Sequence, residues 1–401
     1  MTNKSMKNQI LLTIILTLAA SFIYAISSGI RNNYGIMFNA IIENTGLSYS
    51  YISLVLAFGQ LFYGAIQPLC GILAEKKGNA FALVFGVCFI LIGLIWLPHC
   101  KSPVSLMLSL GFFLSSGTGI VSYGLLIGSV APKIPARSVS TVSGIINANF
   151  GVGNAALSPI IQFLLAKGGI AFTMLILSIP TLSLIPICFF VGRNKNIDIN
   201  ANKNNFEENS TKYIFIKALK DRTYILLTIG FFTCGFHMAI VMNHLPKQFI
   251  FYGISPQISS YAFALYGIIT IIGSIVSGGF LCNKYRLKNI LGYFYGARAV
   301  IIIIFLIIPK TIPVIFSFAS LLGFTGIATV PAVSGIINLK FGAKYITALY
   351  GIVFFIHQIG AFLGAYLGGV LFERFLSYNL IWIINIILCI FASTVSFMIK
   401  D

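Results

Sequence analysis

Long apolar runs, separated by short polar breaks, constrain this chain more than any other feature. Gln9–Ala25 and Ala299–Pro309 are examples, and such runs recur along the whole length. A helix needs ~20 apolar residues to cross ~30 Å of hydrocarbon, and it bonds its own backbone as it does so. The runs do not alternate, so they lack the period-two pattern of a membrane β-barrel strand. Composition agrees: 58% of the 401 residues are hydrophobic and 8% are charged, against ~25% charged in a soluble domain. With 14% aromatic residues, disorder is excluded as well.

Counting runs between polar breaks gives twelve segments, near 9–37, 48–72, 80–98, 104–131, 138–164, 170–192, 223–248, 258–281, 289–309, 312–337, 345–371 and 378–399. The expectation is an all-α membrane protein with twelve transmembrane helices. The first segment follows Lys4 and Lys7 as a signal peptide would. It runs on into Gly29–Arg31 without a small-residue cleavage pattern, so it reads as a retained span.

The net charge of +18 comes from 26 basic and 8 acidic residues. Nineteen of the basic residues fall at the termini or in the even-to-odd connections, and only Lys101, Lys167, Lys247, Lys310 and Arg374 on the other side. Positive charge marks the cytoplasmic face, so both termini are expected inside an inner or plasma membrane. The charge is thus a topology signal, and no nucleic-acid partner is expected. Seven cysteines lie mostly in apolar runs with no Cys-x-x-Cys, so neither a metal nor a cofactor is expected.

One long polar, Asn-rich connection divides the chain. The expected organisation is residues 1–192 as an N-terminal six-helix bundle, 193–222 as a cytoplasmic linker, disordered over Asn196–Ser210, and 223–401 as a C-terminal six-helix bundle. The halves repeat: Thr118-Gly119-Ile120 matches Thr325-Gly326-Ile327, Gly144 matches Gly351, and Gly153 matches Gly360, all at an offset of 207 residues. Parallel repeats of this kind place a substrate site between the halves near mid-membrane.

The stretch Gly71-Ile-Leu-Ala-Glu75-Lys76-Lys77-Gly78, between segments 2 and 3, resembles the signature loop of the major facilitator superfamily, with Glu75 where Asp is usual. The resemblance covers the chain and implies that superfamily's fold, two parallel six-helix repeats. It also implies a cytoplasmic gate at Gly71, Glu75, Lys76, Lys77 and Gly78, with Asn283 and Lys284 as second-half counterparts. Glu75 would sit near a helix N-terminus, and the basic residues would pair across the halves. Within the superfamily, Gly29-Ile-Arg31-Asn-Asn-Tyr-Gly35, Tyr295-Gly-Ala-Arg298, Phe324-Thr-Gly-Ile-Ala-Thr-Val-Pro331 and His357-Gln358-Ile-Gly360 look most like bacterial relatives of the monocarboxylate transporters and oxalate/formate exchangers. The Asp and Arg that animal monocarboxylate transporters carry in segment 8 are absent from Ile271–Ile275. The segment 4 Arg of drug antiporters is absent from Phe112–Gly119.

All eight acids fall in loops, termini or span boundaries, whereas Arg31 lies in the outer part of segment 1 and Arg298 near the middle of segment 9. A cation at the bilayer centre costs ~2.5–3.5 kcal/mol or more and normally faces a cavity or a partner. With no protein anion at that depth, the substrate is the natural counter-ion, and a guanidinium fork matches a carboxylate. Two other readings stay open: Arg31 snorkels to the outer headgroups, and Arg298 braces helix ends or backbone carbonyls. His237 and His357, central in segments 7 and 11, are candidates for a coupling proton because histidine titrates near neutral pH. Equally, either is a buried histidine with its hydrogen bonds satisfied. Asn32, Tyr34, Gln60, Tyr123, Asn147, Tyr266 and Gln358 are candidate hydrogen-bonding groups for substrate, some of them serving only as helix glue. The glycines of 360, 364 and 368 and of 117, 119 and 124 read as close helix contacts that let the halves rock.

The expected function is secondary active transport of a small, monocarboxylate-like organic anion by alternating access, as proton symport or anion exchange. The expected partners are that solute, protons and the lipid bilayer, with the protein a monomer. An enzyme is not expected, since no acid–base or metal grouping is present. An exporter of a larger metabolite, siderophore or drug, and a transporter-like receptor without flux, remain alternatives.

Overall fold

The computed structural model describes residues 3–135, 138–193, 214, 216–342 and 346–400. Most of the 193–222 connection, including its expected disordered stretch, lies outside the described residues, as do Arg137 and Lys344. Among the described residues, eleven helical stretches are long and apolar enough to cross a membrane. The longest, Thr141–Gly192, is broken at Gly168 and at Gly169, whose φ of 66° lies in the left-handed region that glycine adopts without strain. Taking it as spans 5 and 6 gives the twelve expected.

Span 1 is Lys7–Asn32 continued by Tyr34–Thr45, and spans 2 to 4 are Tyr49–Lys77, Asn79–His99 and Pro103–Lys133. Spans 7 to 12 are Arg222–Phe251, Pro256–Lys284, Leu287–Ile307, Ile312–Phe341, Leu349–Phe375 and Asn379–Phe397. Short polar side chains start several of them. Ser48 Oγ accepts from the Tyr51 amide at 3.2 Å, Asp221 Oδ1 from Tyr224 at 3.1 Å and Ser255 Oγ from Ile258 at 3.3 Å. Each satisfies an amide that a helix N-terminus leaves without a partner. Large apolar side chains such as Leu18, Phe163, Leu175 and Ile307 are exposed around the bundle, as lipid contact requires.

The 207-residue repeat is written into the packing. Gly153 of span 5 lies against the Ala25 carbonyl of span 1, and Gly360 of span 11 against the Phe232 carbonyl of span 7, so both partners shift by that offset. A Cβ on either glycine would fall on a backbone oxygen. Corresponding spans also break at corresponding places. Span 4 turns at Val121 and Ser122, just after Thr118-Gly119-Ile120. Span 10 passes through a 3-10 turn at Ile327–Thr329, just after Thr325-Gly326. Pro331 helps to set the second break, because its ring cannot pack against the carbonyl four residues before it.

The N-terminal and C-terminal sets of six spans meet mainly through span 2 on span 11, span 5 on span 8, and Tyr34–Thr45 on span 7. These contacts concentrate toward the face opposite the termini. There Tyr49 Oη bonds His244 Nδ1 at 2.7 Å and Tyr378 Oη at 3.0 Å, and Glu373 Oε2 accepts from the Ser50 amide at 3.1 Å. His244 is held in turn by the Ala365 carbonyl at 2.8 Å. Deeper, Asn154 Nδ2 donates to the Phe263 carbonyl at 2.9 Å. Toward the termini face, Gly71, Gly144, Gly279 and Gly351 look onto open space, and Tyr123–Val130 and Val330–Phe341 pack on their own halves. The bundle is sealed on the face opposite the termini and parted on the termini face.

Candidate substrate site between the halves

Arg31 anchors the site. Its Nη2 donates to Gln60 Oε1, and its guanidinium carbon sits 3.8 Å from the centroid of the Tyr63 ring. Gln60 and Tyr63 lie on one face of span 2, three residues apart. Gln60 is eleven residues into span 2, about 16 Å along its axis at 1.5 Å per residue. Arg31 is therefore deeper than the outer position expected for it, and it does not snorkel. The reason is that span 1 continues past Asn33 as Tyr34–Thr45, which moves the end of the helix well beyond Arg31. Arg31 is half-buried, and among the described residues the one ion pair is Lys340 with Asp221 at 3.1 Å, far along the chain.

Polar atoms without partners lie on the same spans. Tyr34 Oη and both amide atoms of Asn32 on span 1, and Gln358 Oε1 on span 11, are buried and unbonded, as is His357 Nδ1, whose ring packs on Phe231 inside the C-terminal half. Gln358 crosses from the C-terminal half, since a Cβ on Gly64, one turn after Gln60, would meet its Cγ at 2.8 Å. A buried polar group without a partner costs ~1–3 kcal/mol, so these atoms are where a polar solute would gain bonds.

Rings line the same level. Tyr63 faces Phe354 of span 11 at 6.4 Å, and Phe354 stacks on His357 at 5.4 Å and 9° and on Tyr350 at 6.2 Å and 20°. Tyr63, Tyr350 and Phe354 were not among the residues expected from sequence, because aromatics at helical spacing read as core. Their half-burial sets them apart from core rings. Tyr123 bonds Ser143 of span 5, tying span 4 just after its break. Asn147 is half-buried on span 5.

Three expected site residues sit elsewhere. Arg298 is fully buried inside the C-terminal half and donates through Nη2 to the Thr325 carbonyl and, at 2.6 Å, to the Gly326 carbonyl. Those are the last carbonyls of the helix Ile312–Gly326, where a helix leaves acceptors free and carries partial negative charge. Arg298 thus braces the break in span 10 rather than facing the space between the halves. At the span 4 break the N-terminal half uses Ser27, whose Oγ donates to the Val121 carbonyl at 3.1 Å. His237 packs on span 12, its Nδ1 2.8 Å from Asn385 Nδ2 and its ring against Trp382. Tyr266, on span 8, is buried against spans 7 and 10, with its hydroxyl on Met238 Sδ at 3.5 Å.

The loop residues need one correction. Glu75 lies in the last turn of span 2, together with Lys76 and Lys77, and not at a helix N-terminus. Gly78, at φ 90°, makes the turn into span 3. Lys77 lies over Phe81 and Lys284 over Phe280 and Tyr285, while Asn283 Nδ2 bonds its own helix at the Gly279 carbonyl. None of these reaches the other half, as a parted termini face demands. The glycines 360 and 364 bind span 11 to span 7 inside one half; they do not lie on the surface along which the halves meet.

The family model of the Major Facilitator Superfamily matches residues 18–365 and 249–401. A Bacillus subtilis protein described as the uncharacterized MFS-type transporter YcxA is 25% identical over 383 residues, covering 90% of this chain and 89% of that one. The fold is similar to that of the D-xylose-proton symporter, with a TM-score of 0.75 at 13% identity over 98% of each chain. It is similar also to the nucleoside transporter NupG, with a TM-score of 0.77 at 13% identity over 97% of this chain and 100% of that one.

Proposed function

This chain belongs to the major facilitator superfamily of transporters, and from that premise we propose that it carries a small organic anion bearing a carboxylate by alternating access between its halves. The observation that carries the reading is Arg31. It is a half-buried guanidinium at mid-depth, beside the contact of spans 2 and 11, held by a neutral amide and a ring, with no carboxylate among the described residues paired to it. A carboxylate solute would supply the missing charge through two parallel hydrogen bonds.

The crowding of basic residues at the termini face supports a cytoplasmic location for both ends in a plasma membrane. The conformation described above is then the one open to the cytoplasm. Flux runs as proton symport or as anion exchange, with His357 the candidate proton carrier, since its Nδ1 is unbonded at the level of the site.

The test is uptake of radiolabelled carboxylates, a sugar and a nucleoside into proteoliposomes, with and without a pH gradient. Saturable carboxylate uptake, competed by other carboxylates, is expected. Flux of the sugar or nucleoside with no carboxylate flux would refute the reading, and saturable binding without flux would make the protein a receptor.

A further inference from the structure

We propose that a groove on the lipid-facing surface of the C-terminal half binds an anionic phospholipid of the leaflet at the termini face, one acyl chain in the groove and the phosphate on Lys284 and Arg286. The proposal does not depend on the anion reading above, since the groove lies away from the contact between the halves. A cavity of about 590 Å³ runs between spans 9 and 10. Asn289, Phe294 and Ile301 line it along span 9, Leu321 and Phe324 along span 10, and Tyr285 stands at its end nearest the termini. Span 9 packs mainly on spans 12 and 10 of its own half. Tyr285, Tyr293 and Leu321, all in the lining, are at least half exposed, so the groove opens outward, where the bundle meets lipid.

Its length fits one leaflet. Asn289 and Ile301 are twelve residues apart, about 18 Å along the helix, against ~15 Å for half of a ~30 Å hydrocarbon core. An acyl chain entering at the mouth would run the length of the groove and end near the bilayer midplane. The mouth is basic. Lys284 and Arg286 are exposed, and neither is in a salt bridge among the described residues. Lys284 Nζ lies 5.5 Å from the Phe280 ring and 5.6 Å from the Tyr285 ring, which keeps it beside the mouth. Lys288, by contrast, is spent on the Ile399 carbonyl at 3.0 Å. No Asp or Glu occurs between Arg222 and Phe372, so no acid on spans 8 to 10 repels a phosphate there. Basic side chains at a membrane surface attract anionic headgroups, whereas a zwitterionic headgroup would bring its own cation against these two. The groove also reaches the break of span 10. Its lining includes Thr325, whose carbonyl accepts from Arg298, and Phe324, whose carbonyl packs on Gly273 of span 8. A chain lying there would back that break from the lipid side and stiffen the C-terminal half.

The experiment uses the full chain, purified in a maltoside detergent and stripped of lipid. Phosphatidylglycerol and phosphatidylcholine with identical chains are titrated, and native mass spectrometry and thermal melting are read. Phosphatidylglycerol should bind about tenfold more tightly and raise the Tm by several degrees. Phosphatidylglycerol with a photoreactive group at its chain end should crosslink near Ala297, Ile301 and Leu321. Ala297→Trp, which fills the groove, should abolish that crosslink and the added stability. Lys284→Gln combined with Arg286→Gln should keep the crosslink at saturating lipid and lose the preference over phosphatidylcholine. Equal affinity for the two lipids in the wild type would overturn the anionic headgroup. Crosslinks spread over other spans, or unchanged in Ala297→Trp, would overturn the groove. If Ala297→Trp does not assemble, the wild-type crosslinks still decide.

Discussion

Two arginines enter the apolar part of this chain, and their surroundings give them opposite work. Arg31 is half-buried at the junction of the halves and bonded to the Gln60 amide, whereas Arg298 is fully buried inside one half, spending its Nη2 on the carbonyls of Thr325 and Gly326 and leaving Nε and Nη1 unbonded. Arg31→Gln should cut carboxylate uptake by tenfold or more while the thermal midpoint stays within a degree or two. Arg31→Lys should recover only part, because a point charge replaces a planar fork that also stacks. Initial-rate kinetics with a parallel melting curve test both, and unaltered kinetics in Arg31→Gln would remove Arg31 from the site. Arg298→Met should do the reverse. It orphans two buried carbonyls at ~1–3 kcal/mol each, so Tm should fall while KM in the surviving protein is kept. Both arginines were legible in the sequence because a charge in an apolar run has few explanations. Their division of labour was among the open readings but undecided there, since it depends on where span 10 breaks and on Tyr63, which reads as one more apolar ring until its neighbours are known.

At the scale of elements, the count of spans and most of their limits follow from the apolar runs, and the errors have physical causes. Span 1 was expected to end near residue 37, because Asn39, Glu43 and Asn44 dilute the apolar pattern. Helix persists to Thr45 because Tyr34, Met37, Phe38 and Ile41 are buried and Gly35 lets span 7 approach, its missing Cβ leaving room for the Met242 carbonyl. Tertiary packing outweighs composition there. Glycine decides the helix–helix contacts that repeat in both halves. Gly360→Val should force span 11 off the Phe232 carbonyl and abolish a monodisperse peak on size-exclusion chromatography. Gly153→Val should do the same through Ala25. Gly144→Ala, facing open space, should leave yield and melting unchanged, which separates a packing effect from a general dislike of larger residues.

For the molecule as a whole, the repeat was visible as an offset of 207 residues, yet the conformation was not. Under the proposed alternating access the same spans pack in two ways, and the balance between two packings of one sequence is a difference of a few kcal/mol that no local pattern records. What biases it here is the bonded set opposite the termini: Tyr49 joined to His244 and Tyr378, and Glu373 on the first turn of span 2. Tyr49, His244 and Tyr378 are buried, and they link span 2 of one half to spans 7 and 12 of the other. Tyr49→Phe removes the hydroxyl and leaves His244 Nδ1 without its partner. At ~1–3 kcal/mol for such a loss, the population should shift by about fivefold or more toward the form parted on that face. Spin-label distances across the face opposite the termini should then show a longer component that grows in Tyr49→Phe. Glu373→Gln should shift the balance less, because its bond is exposed and water replaces it at little cost. If Tyr49→Phe leaves the distance distribution unchanged, the buried triad does not set the balance, and the contacts of span 5 with span 8 become the place to look.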